Sequence, residues 1–241
     1  MSRSNDLWFS FAGTRSDTMG VDLMALPNRK RPALKGEKTK VSGRNGTLWR
    51  SENAFDDITI QMSLRMSANA DEFAVRSWLS GIGDLIICDA PDKKYRNARF
   101  VNEIEFKRFI PQNGAMLFDA KVECMPFLYM HPEAGDIEIT QSPSSIPGAG
   151  TYRAAPKIKI EGNGDVVLLI GTQLLDIDGM SNGIIIDSEL MECFNLEQSA
   201  FLNSKVSMDE FPALEPGSNI ISWSGDGSIS KITITPRWRY L

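Results

Sequence analysis

The 241-residue chain has one histidine, three cysteines and no long apolar run, and each shortage excludes a class of protein. His131, directly before Pro132, is the sole imidazole, and no GxSxG, HExxH or Ser-Asp-Asn pattern accompanies it. A hydrolase triad therefore has no visible base, His131 is expected to be structural, and no catalytic residue is assigned. Cys88, Cys124 and Cys193 lie far apart without a CxxC pair. That spacing excludes an obvious zinc ribbon or thioredoxin-like site and argues against a disulfide framework. The three thiols are expected as small buried hydrophobes. No apolar run of about 18 residues exists, so no membrane insertion is expected. The N-terminal MSRSNDLWFSFAG also lacks the apolar core of a signal peptide. These shortages describe a soluble protein made in a cytoplasm, with no cofactor and no metal assigned.

What is present is charge, unevenly spread. Residues 1–50 carry ten Lys/Arg against four Asp/Glu, residues 51–133 nine against thirteen, and residues 134–241 seven against fourteen. A basic first part beside an acidic remainder suits nucleic-acid binding or complementary contact between copies, although a solvated face is the plainer explanation. The basic run NRKRPALKGEKTK (residues 28–40) has no interleaved aromatics, so a stacking platform for single strands is missing and no specific nucleic-acid recognition is expected. The neighbouring VSGRNGTLW is not a P-loop, because G-x-x-x-x-G-K-[ST] is absent. Its Asn45-Gly46 is the dipeptide that supplies two positive φ angles to a hairpin turn. LLDIDGMSNGIIID places Asp176, Asp178, Asn182 and Asp187 at calcium-loop positions, but Met180 and Ser181 fill the fifth and sixth. Two strands joined by a Gly/Asn-rich turn explain these residues better.

Short alternating runs dominate the chain. DLWFSFAG, ITIQMSLRM, DLIICDA, RFVNEIEFKRFI and MLFDAKVECMPFLYM read as strands, since β-branched and aromatic residues recur with period two. SANADEFAVRSWLSGIG reads as the one helix. Asn69 is its expected cap, with Glu72 completing a capping box; Phe73, Ala74, Ser77, Trp78 and Leu79 form its inner face, and Gly81 and Gly83 its stop. The Pro-, Ser- and Gly-rich segment 131–156 reads as a domain boundary that includes a short strand at IEIT. Beyond it, PKIKIEG, DVVLLIG, TQLLDIDG, NGIIIDSE, NIISWSG and SISKITITPRWRY are predicted strands. The turns EGNGD, DGMSNG and SGDGS separate them, as in an antiparallel sandwich.

Taken in order, these residues resemble the distal tail protein (Dit) family of siphophages over nearly the whole chain. The resemblance rests on Phe11 and Gly13; on Ser16, Met19 and Gly20; on Gly43, Arg44 and Gly46; on Trp78 and Leu79; on Asp89, Pro91, Asp92 and Tyr95; and on Pro126 with Phe127. AAPKIKIEGNGDVVLLI, GIIIDSE and FPALEPGSNIISWSGDGSISKITITPRWRYL continue it. The resemblance implies a mainly β protein. An N-terminal, split-barrel-like, ring-forming β domain with one helix spans residues 1–133, and a galectin-like antiparallel β-sandwich spans residues 134–229. The last strand, about 230–241, is expected to return to the first domain. It further implies a homo-hexameric ring at the distal end of the virion tail, joining the tail tube protein to tail-tip or baseplate proteins. On that basis Arg44, Asn45 and Gly46 are expected at a subunit or partner interface. The alternative is a module that contacts host cell-wall carbohydrate, with Tyr152 and Trp223 as weak sugar-stacking candidates.

Overall fold

In a computed structural model of the chain, residues 7–109 and 114–241 are described. The chain divides into two compact units: one runs to His131 and includes Leu241, and the other is Pro132–Tyr240. The first unit contains β1 (Phe9–Phe11), β2 (Thr14–Arg15), β3 (Val21–Leu23), β4 (Leu34–Lys40), β5 (Thr47–Phe55) and β6 (Ile58–Met66). These are followed by helix α1 (Glu72–Leu79), β7 (Ile82–Ile87), β8 (Lys93–Phe100), β9 (Lys107–Phe109), β10 (Ala115–Cys124) and β11 (Leu128–Met130). Its main sheet runs β2-β1-β7-β8-β10-β6-β3, with β9 on β10 and β11 on β8, while β4 and β5 form a separate two-stranded sheet.

Period-two alternation builds the core of this unit. Ile58, Ile60, Met62, Leu64 and Met66 of β6 are buried, and they face the buried Phe118, Ala120, Val122 and Cys124 of the β10 strand beside it. Residues that carry the family resemblance act here as framework. Buried Ser16 accepts a hydrogen bond from Phe9 N at 3.1 Å, and Gly20 turns the chain at φ 68°. Trp78 stacks on Phe9 with ring centroids 5.4 Å apart, and its Nε1 donates to Phe11 O at 3.0 Å.

The helix starts later than expected. Asp71, not Asn69, is the cap: its extended backbone lets Oδ1 accept from Phe73 N at 2.9 Å and Ala74 N at 3.2 Å. With that start, Val75 and Leu79 form the buried i, i+4 seam and Phe73 points outward, 81% exposed. Asp71→Ala is expected to cost about 1 kcal/mol of stability through the lost cap, read as a lower midpoint in urea unfolding at unchanged slope.

The predicted strand over 99–110 also differs. It breaks after Phe100 because the Asn102 side chain takes over the ladder: Oδ1 accepts from Lys121 N at 2.6 Å and Nδ2 donates to Asp119 O at 3.0 Å. The facing pattern survives the break, for Phe100, Ile104 and Phe106 still pack on the core. Ile110 lies outside the described residues, as does Asp6 at the start of the first predicted strand.

The second unit contains β12 (Ile137–Ile139), β13 (Ser144–Gly148), β14 (Lys157–Ile170), β15 (Gln173–Met180) and β16 (Ile184–Asp187). It continues with β17 (Glu192–Phe194), β18 (Val206–Met208), β19 (Gly217–Ser224), β20 (Ser228–Thr235) and β21 (Arg239–Tyr240). The predicted EGNGD turn is not a turn. β14 runs through it with two register shifts and enters both sheets: its first half pairs β20 and β16, its second half β15 and β19. The Asn163 and Asp165 side chains accept from Asn182 N and Gly179 N at 2.9 and 2.7 Å, which ties the shifted stretch to the β15–β16 turn. Ile158, Ile160, Ile232 and Ile234 fill one inner face, and Leu168, Ile170, Leu175 and Ile221 the other; all are buried. The residues weighed as a calcium loop are the two strands β15 and β16, turned by Asn182 at φ 63° and Gly183 at φ 133°.

The C-terminal run SISKITITPRWRY is two strands instead of one. Pro236 cannot donate to the ladder, and Arg237 adopts φ 51° before β21 begins. Arg237 then reaches back to Asp187, with Nη1–Oδ1 at 2.6 Å and Nη2–Oδ2 at 2.9 Å, and to Glu189 at 3.3 Å. Asp187 is nearly inaccessible, its side chain 4% exposed. Burial pushes its carboxyl up, but the hydrogen bonds and charge of Arg237 and the N–H groups of Leu190 and Glu189 hold it below the usual carboxylate range.

Candidate assembly surface

Sequence dictates an arm between β3 and β6. LKGEKTK and TLWRSENAF have no apolar face, so neither strand has anything to bury against the sheet. They pair with each other, from Leu34↔Phe55 through Lys38↔Trp49 to Lys40↔Thr47. Nearly every residue from 34 to 55 is exposed or half-buried, on both faces. An isolated hairpin of this kind is marginal in water and needs further support.

The root supplies some of that support. Arg29 grips Asp89 in a bidentate pair, Nε–Oδ2 at 3.0 Å and Nη2–Oδ1 at 2.6 Å. Asp56 N donates to Ala33 O at 2.9 Å, and Phe55 meets Phe127 edge to face at 5.6 Å. The acidic motif residues thus have local jobs: Asp89 holds the arm's approach, and the Asp92 carboxylate accepts from Lys93 Nζ at 2.6 Å while its backbone carbonyl accepts from His131 N at 2.8 Å. Burial pushes the Tyr95 phenol beside Arg29 above its ordinary value.

Along the arm, Trp49 lies flat across Gly36, where any side chain would run into Arg50 O and the indole ring. Lys38 Nζ sits 5.8 Å from the ring centroid, and Trp49 remains 47% exposed. Residues 28–50 carry eight Lys/Arg and one Glu. The tip differs from the two-residue turn expected of Asn45-Gly46. Pairing stops at Lys40↔Thr47, so six residues, 41–46, span the strands. Gly43 (φ 76°) and Gly46 (φ 81°) supply the positive φ angles, and Asn45 does not. The structure thus places Arg44, Asn45 and Gly46 together at the exposed end of a basic arm. Elsewhere on the same unit, Met24, Asn102, Glu103, Glu105, Lys107 and Asp119 line a groove of about 480 Å³ with a net acidic rim.

The other candidates fall apart in space. Tyr152 bridges to Arg239, whereas Trp223 stands opposite Leu168 on β19 and exchanges hydrogen bonds with Ser142. Both rings are half-buried. Burial pushes the Cys124 thiol up to about 12 and the Cys193 thiol up to about 11. Among the described residues, no group of three or more His, Cys, Asp and Glu is placed to hold a metal ion, and no helix is long and apolar enough to cross a membrane. Trp49 and Gly36 were not singled out by sequence reasoning. The available signal was a tryptophan diagonal to a glycine across the strand pair, and that relation is visible only once β4 and β5 are paired.

These units define a mainly β fold class: a sheet domain with one helix and a projecting arm, followed by an antiparallel sandwich built on one shared strand. No protein-family model matches the sequence, and no curated protein matches it. Among solved structures, the chain is similar to the Dit (gp 19.1) protein of SPP1, with a TM-score of 0.69 and 13% sequence identity. The match covers 95% of this chain and 98% of that one, and that protein is described as a paradigm of the hub adsorption apparatus in phages infecting Gram-positive bacteria. The two chains share their fold from end to end.

Proposed function

We propose that this chain is a structural hub of a long non-contractile phage tail, with no enzymatic role. Six copies form a ring at the distal end of the tail, and the ring joins the tail tube protein to tail-tip or baseplate proteins. The observation that carries this reading is the end-to-end match with SPP1 Dit, with almost no unmatched segment on either side. The arm supports it independently. A basic hairpin exposed on both faces, on a unit that also carries an acid-rimmed groove, suits head-to-tail contacts that close into a ring. The N-terminal domain, residues 1–133, is the ring-forming part, and Arg44, Asn45 and Gly46 at the arm tip meet a neighbouring subunit or tail protein.

The test is mass in solution together with electron microscopy. Hexamers with a central opening wide enough for DNA are expected. A strict monomer at high protein concentration, still without rings when the adjoining tail proteins are added, would overturn the proposal.

A further inference from the structure

The chain contains the dipeptide Asn-Gly at three places where both residues are described, and the structure treats the first differently from the other two. Asn45-Gly46 lies in the exposed arm tip. Among the described residues, neither the Asn45 side chain nor the Gly46 N–H has a hydrogen-bond partner. Nothing lies within 4 Å of where a Gly46 Cβ would be, so the loop is free to rearrange there. Asn163-Gly164 lies within β14, paired with Ser228 and Met180, and Asn182-Gly183 is likewise held in place. Asn182 N donates to Asn163 Oδ1 at 2.9 Å, Gly183 is buried, and a Cβ added to it would run into Ile160 O and the Leu196 side chain.

From this contrast we infer that Asn45 is a site of spontaneous deamidation and that Asn163 and Asn182 are protected. The Gly46 backbone nitrogen attacks the Asn45 side-chain carbonyl carbon, forming the C–N bond of a succinimide. The side-chain amide leaves as ammonia. Water then opens the ring to aspartate or isoaspartate, so the step consumes one water and changes no oxidation state. The attack needs a nitrogen with no competing hydrogen bond and a backbone able to bring it onto the side chain. Glycine favours both, and the arm tip imposes no packing against it. The product puts a carboxylate next to Arg44, on a stretch that otherwise holds eight cationic side chains and one glutamate. Its effect on docking rests on the hub reading: a copy modified at Asn45 presents a weaker basic tip and associates less well.

Purified full-length chain held in mildly alkaline buffer, then digested and analysed by mass spectrometry, tests the modification. The peptide containing Asn45 is expected to show progressive amide-to-acid conversion, while Asn163 and Asn182 keep their amides. Gly46→Ala is expected to slow conversion several-fold. An Asn45 amide that persists, or equal conversion at the three positions, overturns the inference. Asn45→Asp then tests the consequence: assembly should weaken with thermal unfolding unchanged. If the unmodified chain forms no rings even with the adjoining tail proteins added, the hub reading fails, and the mass measurement still decides the modification.

Discussion

Excising residues 36–53 and closing the arm with a short turn is expected to abolish the proposed ring assembly while leaving the first unit folded. The expectation follows from where the arm's contacts lie. Its fixed points are at the root, in the Arg29–Asp89 pair and the Phe55–Phe127 contact, and both remain outside the excised stretch. The core of the unit, from Phe9 to Cys124, includes no side chain from residues 34–55. Burial energetics therefore predict little loss of stability, and far-ultraviolet circular dichroism with thermal unfolding should confirm a near-native midpoint. Light scattering should show the associated species gone. Trp49→Ala is a narrower version, because exposed aromatics flanked by cations are the usual anchors of interfaces. An excised protein that still forms rings would assign the contact to another surface and reduce the arm to a solvated appendage.

Asp187→Ala should give the largest loss of folding stability, about 3–5 kcal/mol by the usual cost of stranding a buried charge. The carboxylate holds Arg237 through two short bonds and also caps the turn after β16 by accepting from Glu189 N and Leu190 N. Removing it leaves the guanidinium with Glu189 alone, at 3.3 Å, and frees the chain that carries β21. Replacing both partners with leucine should be milder, since no charge is then stranded. Chemical denaturation of the two variants beside the parent chain measures the difference. The pH dependence has a definite sign. Asp187 titrates below the ordinary carboxylate value in the folded chain, so its contribution is fully present above about pH 4, where the unfolded group is ionised. That contribution is lost as the pH falls through the lower folded value, and the Asp187→Ala protein should lack this acid-side loss.

The sheet strands were legible because each buries one face. Ile58 to Met66 alternates in sequence as it does in space, and even the interrupted run after Phe100 keeps its alternation. The arm was not legible for the same reason. β4 and β5 bury neither face, so no period marks them, and only their turn residues stood out. Arg44, Asn45 and Gly46 therefore drew notice as a motif, while the strands that carry them did not. The EGNGD stretch misled in the opposite direction: glycine and asparagine usually end a strand, yet here they let one strand bend and continue. The Asp71 cap was hidden by a better-looking capping box two residues earlier. Local hydrogen-bond patterns of this kind compete, and the structure settles them by what the following helix can bury.

The continuity of β14 has a mechanical consequence. Both sheets of the sandwich hang on one unbroken stretch of backbone, Lys157–Ile170, which pairs with four different strands along its length. The sheets cannot peel apart like the covers of a book, because the spine belongs to both. A load pulling along β14 is met as shear by many hydrogen bonds at once, on both sides of the bend. Such an element yields late and all together, so the sandwich should resist tension as a single block.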